Sequence, residues 1–135
     1  MKPCALELPP DRCQTLGSML ARVGDKWSMM TIVSLEEGSL RFNELRRRTG
    51  ASQKMQTATL RGLERDGYVA RTVTQTMPPR VGYVLTDMGQ EVLGPVRALA
   101  AWALSRIEQV EGARKRYDER TLGRPEPCVA DSAAA

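Results

Sequence analysis

The chain has 135 residues, enough for one domain with a single hydrophobic core, and a formal net charge of +4. It has no histidine, and its three cysteines lack C-x-x-C spacing, which argues against a zinc site and against histidine-based catalysis, so we predict that it is not an enzyme. The sequence shows neither a signal peptide nor an apolar run of about eighteen residues, so we expect a cytoplasmic protein without membrane span, metal or cofactor.

Three prolines predict an extended N-terminal arm over residues 1–10. A first helix should follow, because Asp11 can cap its free amides, Gln14 can complete a capping box, and Gly24 can end it. One face of this helix is apolar, which is typical of a helix that packs on a neighbour. That face consists of Cys13, Leu16, Met19, Leu20 and Val23.

The next elements predict a helix-turn-helix. Asp25 can cap a second helix over residues 26–37, whose apolar side chains surround most of its circumference and indicate burial on nearly every side. A short strand at residues 39–42 and a third helix capped by Asn43 should follow. This third helix should end at Thr49. A tight turn then leads to the fourth helix, which we expect to start at its cap Ser52 and to end near Asp66.

The fourth helix has two different faces. Its apolar face is centred on Met55, Thr59 and Leu63. The opposite face is polar and basic, and such side chains can read DNA bases in the major groove. That face consists of Lys54, Thr57 and Arg61, flanked by Gln53 and Arg65. An ordinary solvated surface is the alternative interpretation.

Basic residues concentrate between Arg41 and Arg80, where nine of them oppose three acids and leave a net charge of +6. Such a patch indicates a polyanionic partner, because neutralising phosphates releases condensed counterions. A solvated arginine-rich face is again the alternative. We expect Arg41 and the run Arg46–Arg48 to contact phosphates rather than bases.

A β-hairpin follows, with strands over residues 68–74 and 81–86. Pro78 and Pro79 cannot lie in a regular strand, so the hairpin should have a projecting tip. Arg80 lies beside these stiffening prolines and suits the narrow, electronegative minor groove. Alternatively, it is a solubilising charge at a turn.

Thr86 can cap a last long helix, which Pro95 should kink or split. Its apolar residues recur at spacings of three and four, which indicates packing on another helix. They are Val92, Val96, Leu99, Ala103, Ile107 and Val110. We therefore predict a mainly α fold with a small antiparallel β-wing, in which one domain covers residues 11–117 and residues 118–135 form a flexible tail.

Several stretches resemble, in order and spacing, the HxlR-type regulators, a bacterial winged-helix family close to the MarR group. They are Val23–Trp27, Leu40–Arg46, Ser52–Met55, Leu63–Gly67, Pro78–Val81 and Tyr83–Thr86. The resemblance implies a homodimeric DNA-binding regulator whose first and last helices form the dimer. It also implies that Ser52, Gln53 and Lys54 open the recognition helix and that Arg80 lies in the wing.

The resemblance further implies a functional cysteine at Cys13, which in redox-responsive members senses electrophiles or oxidants, commonly through a disulfide to the other subunit. From the residues alone, a place near the helix N-terminus beside Arg12 favours the reactive thiolate. Asp11 and the apolar face favour a small buried core thiol instead. Both interpretations stay open, and Cys4 and Cys128 are either resolving or incidental. The odd number of cysteines indicates thiols rather than a disulfide framework.

Three residues depart from the family's usual pattern. Gln56 replaces a leucine within the apolar arc, where a buried amide needs partners. Gly62 replaces a glutamate and weakens the helix by up to about 1 kcal/mol relative to alanine. Gly82 replaces a glutamate in the wing and removes a possible restraint on Arg80.

We predict a sequence-specific transcriptional repressor that binds a palindromic operator as a homodimer and responds to oxidation or alkylation of Cys13. Control by a small aromatic ligand among Met19, Met29, Met30 and Trp102 is the alternative signal. A winged helix used for protein–protein assembly is a rival of another class, and it predicts no salt-dependent affinity for DNA.

Overall fold

The computed structural model describes residues 7–122, in two compact units over residues 7–98 and 99–122. Helices dominate and a small antiparallel sheet accompanies them, which confirms the predicted fold class. The elements are α1 (Pro10–Val23), α2 (Lys26–Ser34), β1 (Leu40–Arg41), α3 (Phe42–Thr49), α4 (Gln53–Arg65), β2 (Val69–Thr74), β3 (Arg80–Leu85), α5 (Asp87–Ser105) and α6 (Ile107–Leu122). None of these helices is long and apolar enough to cross a membrane.

The core of residues 7–98 lies among α2, α3, α4, the sheet and the first turns of α5. Each of these elements contributes an apolar face, so burial of that face drives their association. The buried cluster consists of Ile32, Leu35, Leu45, Leu60, Leu63, Tyr68, Val69, Leu85 and Leu93. α1 contributes no fully buried side chain.

The sheet has the order β1-β3-β2, and both pairs are antiparallel. Val69 pairs with Leu85 and Thr74 pairs with Arg80, so residues 75–79 form the connection at the hairpin's end. Val69 is buried, whereas β2 from Arg71 onward is exposed, because the hairpin projects beyond the core. This projecting hairpin is the predicted wing.

The close packing around Gly82 accounts for the small residue at this position. A Cβ atom built there would lie 2.7 Å from the Ser39 hydroxyl oxygen and 3.2 Å from that of Thr72, so glycine lets these hydroxyls approach closely. A glutamate at this position, usual in the family that the sequence resembles, would require the Ser39 hydroxyl to move.

Two predicted helix caps were wrong. α1 starts at Pro10 after Pro9, and Asp11 lies inside it, because proline's fixed φ and missing N–H suit a first helical position. α3 starts before the predicted cap Asn43. Its N-cap is Arg41, whose amide donates to the Glu44 carboxylate at 2.8 Å and thereby moves the start upstream.

The C-terminal helices also differ from the prediction. The predicted cap Thr86 does lie at the start of α5, where its hydroxyl oxygen accepts a hydrogen bond from the Gly89 amide at 3.1 Å. Pro95 lies inside α5 and does not split it, because the preceding residue is glycine and has no Cβ to clash with the proline ring, and the predicted kink stays a prediction. The interruption lies at Arg106, and α6 continues past Tyr117, where the tail was predicted to begin. Most of the predicted arm and tail lies outside the described residues.

Candidate nucleic-acid interface

The turn between α3 and α4 sets where the recognition helix begins. Gly50 has a φ of 78°, a left-handed conformation that glycine adopts without steric cost, and it ends α3. The Ser52 hydroxyl accepts from the Met55 amide at 3.1 Å, as the sequence predicted for the cap of α4. A three-residue turn therefore joins the two helices.

A buried polar network fastens this turn to the core. The Thr49 hydroxyl donates to Gln56 Oε1 at 2.7 Å and accepts from the Ala51 amide at 3.2 Å. Gln56 Nε2 donates to the Thr31 hydroxyl oxygen on α2 at 3.1 Å. Both polar atoms of the Gln56 amide thus have a partner, and Gln56 links α2 to the turn and the recognition helix.

This network rotates α4 relative to the prediction. Gln56 is buried, whereas Met55 is 41% exposed, so the expectation that Met55 centres the buried face was wrong. The buried face consists of Gln56, Thr59, Leu60 and Leu63. The predicted reading face still points outward, because Gln53, Lys54 and Arg61 are exposed and Thr57 is half-buried.

A groove of about 410 Å³ lies between α4 and the wing. Gln53, Thr57 and Arg61 follow one another along its wall at single-turn spacing, and Arg71 of β2 faces them. Phe42, Leu60, Val81 and Tyr83 supply apolar lining, and Glu64 adds one carboxylate. Arg71 was not among the predicted contacts, although its place in a basic, alternating strand was the available signal.

Arg41 lies beside the wing tip. It lines a concave surface of about 510 Å³ together with Arg80, and a second of about 400 Å³ together with Arg47. The start of α3 and the wing therefore present cations close together. Ser52 and Lys54 are exposed at the start of α4.

The wing tip is braced by its own threonines. The Thr74 hydroxyl accepts from the Arg80 amide at 3.2 Å, and the Thr76 hydroxyl donates to the Pro78 carbonyl at 2.9 Å. Met77 projects from this braced loop and is 96% exposed. Arg80 therefore begins β3 directly after a supported loop, and it lines the same concave surface as Met77.

Arg46 has a structural contact besides its predicted role. Its Nε donates to the Ala51 carbonyl at 3.4 Å, and its side chain is half-buried, whereas Arg47 and Arg48 are exposed. The contact of Arg46 with phosphate stays a prediction, and the exposed Arg47 is better placed for one.

The surroundings of Cys13 differ from those expected, and its role as a redox sensor stays a prediction. Cys13 is the fourth residue of α1, and its amide already donates to the Pro9 carbonyl at 2.9 Å, so it does not lie among the unpaired amides of the helix start. Its side chain is half-buried rather than buried, and it is disulfide-bonded rather than a thiol. The other two cysteines, Cys4 and Cys128, lie outside the described residues. Within residues 7–122, no group of three or more potential metal ligands occurs.

The comparisons with known proteins agree with this geometry. Residues 22–111 match the family model for HxlR-like helix-turn-helix proteins. The HTH-type transcriptional regulator YtfH of Escherichia coli strain K12 is 39% identical over 103 residues, which cover 76% of this chain and 79% of that protein.

Solved structures show the same fold. A ytfH structure from Salmonella typhimurium matches with a TM-score of 0.64 and 36% identity, over 78% of this chain and 91% of that one. The redox regulator HypR in its oxidized form matches with a TM-score of 0.62 and 36% identity, over 67% and 95% of the two chains.

Proposed function

Because the chain belongs to the family of HxlR-like helix-turn-helix transcriptional regulators, which are not enzymes, we propose that it binds a palindromic operator as a homodimer and represses transcription. The observation that carries this proposal is the groove between α4 and the wing, where a stripe of Gln53, Thr57 and Arg61 faces Arg71. A repressor works where the chromosome lies, so we expect the protein in the cytoplasm.

The proposed contacts divide by chemistry. The polar stripe of α4, with Ser52 and Lys54 at its start, suits base edges in the major groove. Arg41 and Arg46 suit phosphates, and Arg80 on the braced wing suits the adjacent minor groove. In a symmetric dimer the two recognition helices would contact half-sites separated by about 10–11 base pairs or a multiple of that distance.

The homodimer is supported by apolar side chains that the single chain leaves exposed. On α1, Met19 and Leu20 are exposed by 42% and 60%. Residues 99–122 carry the predicted stripe with Leu99, Ile107 and Val110, which are 50%, 47% and 40% exposed. Each of these two groups of exposed apolar side chains is typical of an interaction surface, and helix-to-helix contact with a second copy would bury it.

Ile107→Glu is expected to convert the dimer to a monomer, because a carboxylate in the apolar interface loses its hydration without gaining a partner. Light scattering after size-exclusion chromatography measures the mass. Gln109→Glu is the matched control, because it places the same charge on the same helix at an exposed polar position. Equal dimer content in the two variants would contradict the assignment of this stripe to the interface.

We further propose that Cys13 makes the regulator redox-sensitive. Its disulfide-bonded state supports this, as does the similarity to HypR, a redox regulator. Two thiols that join in a disulfide lose two protons and two electrons, which an added oxidant such as diamide takes up as it becomes a hydrazine. The second thiol is Cys4, Cys128 or a cysteine of the partner subunit.

Diamide is expected to lower the operator affinity of the reduced wild type by at least about tenfold, a typical allosteric coupling. Cys13→Ser should keep its affinity under the same treatment. Anisotropy titrations with labelled operator, before and after diamide, provide the measurement. If diamide also lowers the operator affinity of Cys13→Ser, then Cys13 is not the sensor. The proposed operator binding would still stand.

A small aromatic ligand is the alternative signal. Met19 and Trp102 are exposed and Met29 and Met30 are half-buried, so all four are reachable from solvent in the single chain. Release of DNA by an aromatic compound from a variant without cysteines would favour it. If the winged helix instead serves protein–protein assembly, we expect Lys54→Ala and Arg80→Ala to leave the affinity for DNA unchanged.

A further inference from the structure

The end of α1 is tied to the end of the recognition helix. Nε of Arg22 in the last turn of α1 donates to Oδ2 of Asp66 at 2.9 Å, and the two side chains are only 31% and 23% exposed. α1 contributes no fully buried side chain. This half-buried ion pair therefore holds the end of α1 against the end of α4.

Gly62 leaves room for the Arg22 guanidinium at this contact. A Cβ atom built on Gly62 would overlap the Arg22 guanidinium, so the guanidinium lies directly against the bare backbone of α4. Glycine is a poor helix former, and Gly62 lies half-buried in the last turn of α4 beside the buried Leu63. The Arg22 guanidinium occupies the space that a side chain at this position would fill.

Asp66 is well placed to transmit movement to α4. It is the C-cap of that helix, and its amide donates to the Gly62 carbonyl at 3.0 Å. Gly67 follows with a φ of 88°, so the chain turns away directly after Asp66. Asp66 therefore joins the ion pair with Arg22 to the last turn of the recognition helix.

We propose that Arg22 is a positioning residue for DNA recognition, which couples the orientation of α1 to that of α4 through Gly62 and Asp66. Cys13 lies on the same helix, about 14 Å along its axis from Arg22 at 1.5 Å per residue. A change in the disulfide state of Cys13 that tilts α1 is thereby passed to α4. The coupling to DNA rests on the proposed function, whereas the coupling between the helices does not.

The test compares three substitutions that break this contact. Arg22→Gln and Asp66→Asn remove one charge each, and Gly62→Ala displaces the guanidinium while it improves helix propensity. Arg97→Gln is the matched control, because Arg97 pairs with Glu36 in an ion pair of residues 7–98 that does not involve α4. The exchanged pair Arg22→Asp with Asp66→Arg restores opposite charges.

The first readout is amide hydrogen exchange over Gln53–Arg65, with the Cys13 disulfide intact and after reduction by dithiothreitol. In the wild type and in Arg97→Gln, we expect reduction to change the exchange rates of the last turns of α4. The three substitutions should abolish that change, and the exchanged pair should restore it. Absence of any change in the wild type would overturn the coupling.

The second readout is affinity for the operator and for unrelated DNA. We expect the three substitutions to weaken operator binding by about three- to tenfold, as coupled contacts do, and to leave unrelated DNA unaffected. Gly62→Ala separates positioning from stability, since a helix that becomes more stable should still bind less well. Wild-type operator affinity in Gly62→Ala would overturn the proposal.

The two proposals can fail separately. If the wild type binds no operator, yet exchange in α4 depends on both Arg22 and the disulfide, then the proposed function is wrong and the coupling holds. If operator binding depends on Arg61 but neither readout responds to Arg22, then the function holds and the coupling is wrong.

Discussion

Arg61→Ala is expected to weaken binding to the operator by about ten- to a hundredfold, because a good side-chain pair with a base is worth about 1–3 kcal/mol. Arg61 is exposed in the middle of α4 and lies on the wall of the groove that faces the wing. Affinity for unrelated DNA should fall far less, since that binding depends on the total number of phosphate contacts. Anisotropy titrations at several salt concentrations measure both.

Arg65→Ala is the matched control for this prediction. Arg65 is exposed on the same helix one turn further on, but it does not line the groove. Its replacement should change operator affinity by less than about threefold, the effect of one peripheral phosphate contact. Equal losses on operator and unrelated DNA for Arg61→Ala would show that Arg61 contacts only phosphates.

Gln56→Leu is expected to lower the free energy of unfolding by about 1–3 kcal/mol, although leucine is the usual residue of the family at this position. The substitution removes the partner of the Thr31 hydroxyl and the acceptor for the Thr49 hydroxyl, both of which are buried. A buried hydroxyl without a partner keeps its full cost of desolvation. Urea unfolding followed by circular dichroism, at one fixed protein concentration, measures the change.

Two further variants test the explanation. Thr31→Val combined with Gln56→Leu removes both polar partners and should recover part of the loss, because apolar groups of similar shape can replace a buried pair at little cost. Gln109→Leu, at an exposed position, should change stability by less than about 0.5 kcal/mol. A Gln56→Leu protein as stable as the wild type would show that the network contributes nothing to stability.

Local sequence signals predicted the parts of the fold that depend on neighbouring residues. The left-handed Gly50 and the capping Ser52 define the helix-turn-helix within a few residues, and Asp25 caps α2 in the same way, with its carboxylate accepting from the Ser28 amide at 3.1 Å. The two prolines of the wing tip likewise indicated a projecting loop. Each of these features is local, so pattern and propensity suffice to find it.

Contacts between residues far apart in the sequence could not be predicted in this way. The orientation of α4 depends on Gln56 reaching Thr31, 25 positions away, and the anchor of α1 depends on Arg22 reaching Asp66, 44 positions away. The sequence marked Gln56 and Gly62 as unusual, but only the fold brings their partners to them. The DNA contacts of the individual side chains remain predictions, because they depend on a partner molecule.

The most direct test of the central claim is binding of the purified protein to the DNA upstream of its own and neighbouring genes, in reducing buffer at several salt concentrations. We expect tight binding to one of these segments that weakens steeply as salt rises, and a loss of that specificity in Arg61→Ala, Lys54→Ala and Arg80→Ala. Affinity that is equally weak for every segment, and unchanged in all three variants, would contradict the account and favour a winged helix used for protein–protein assembly.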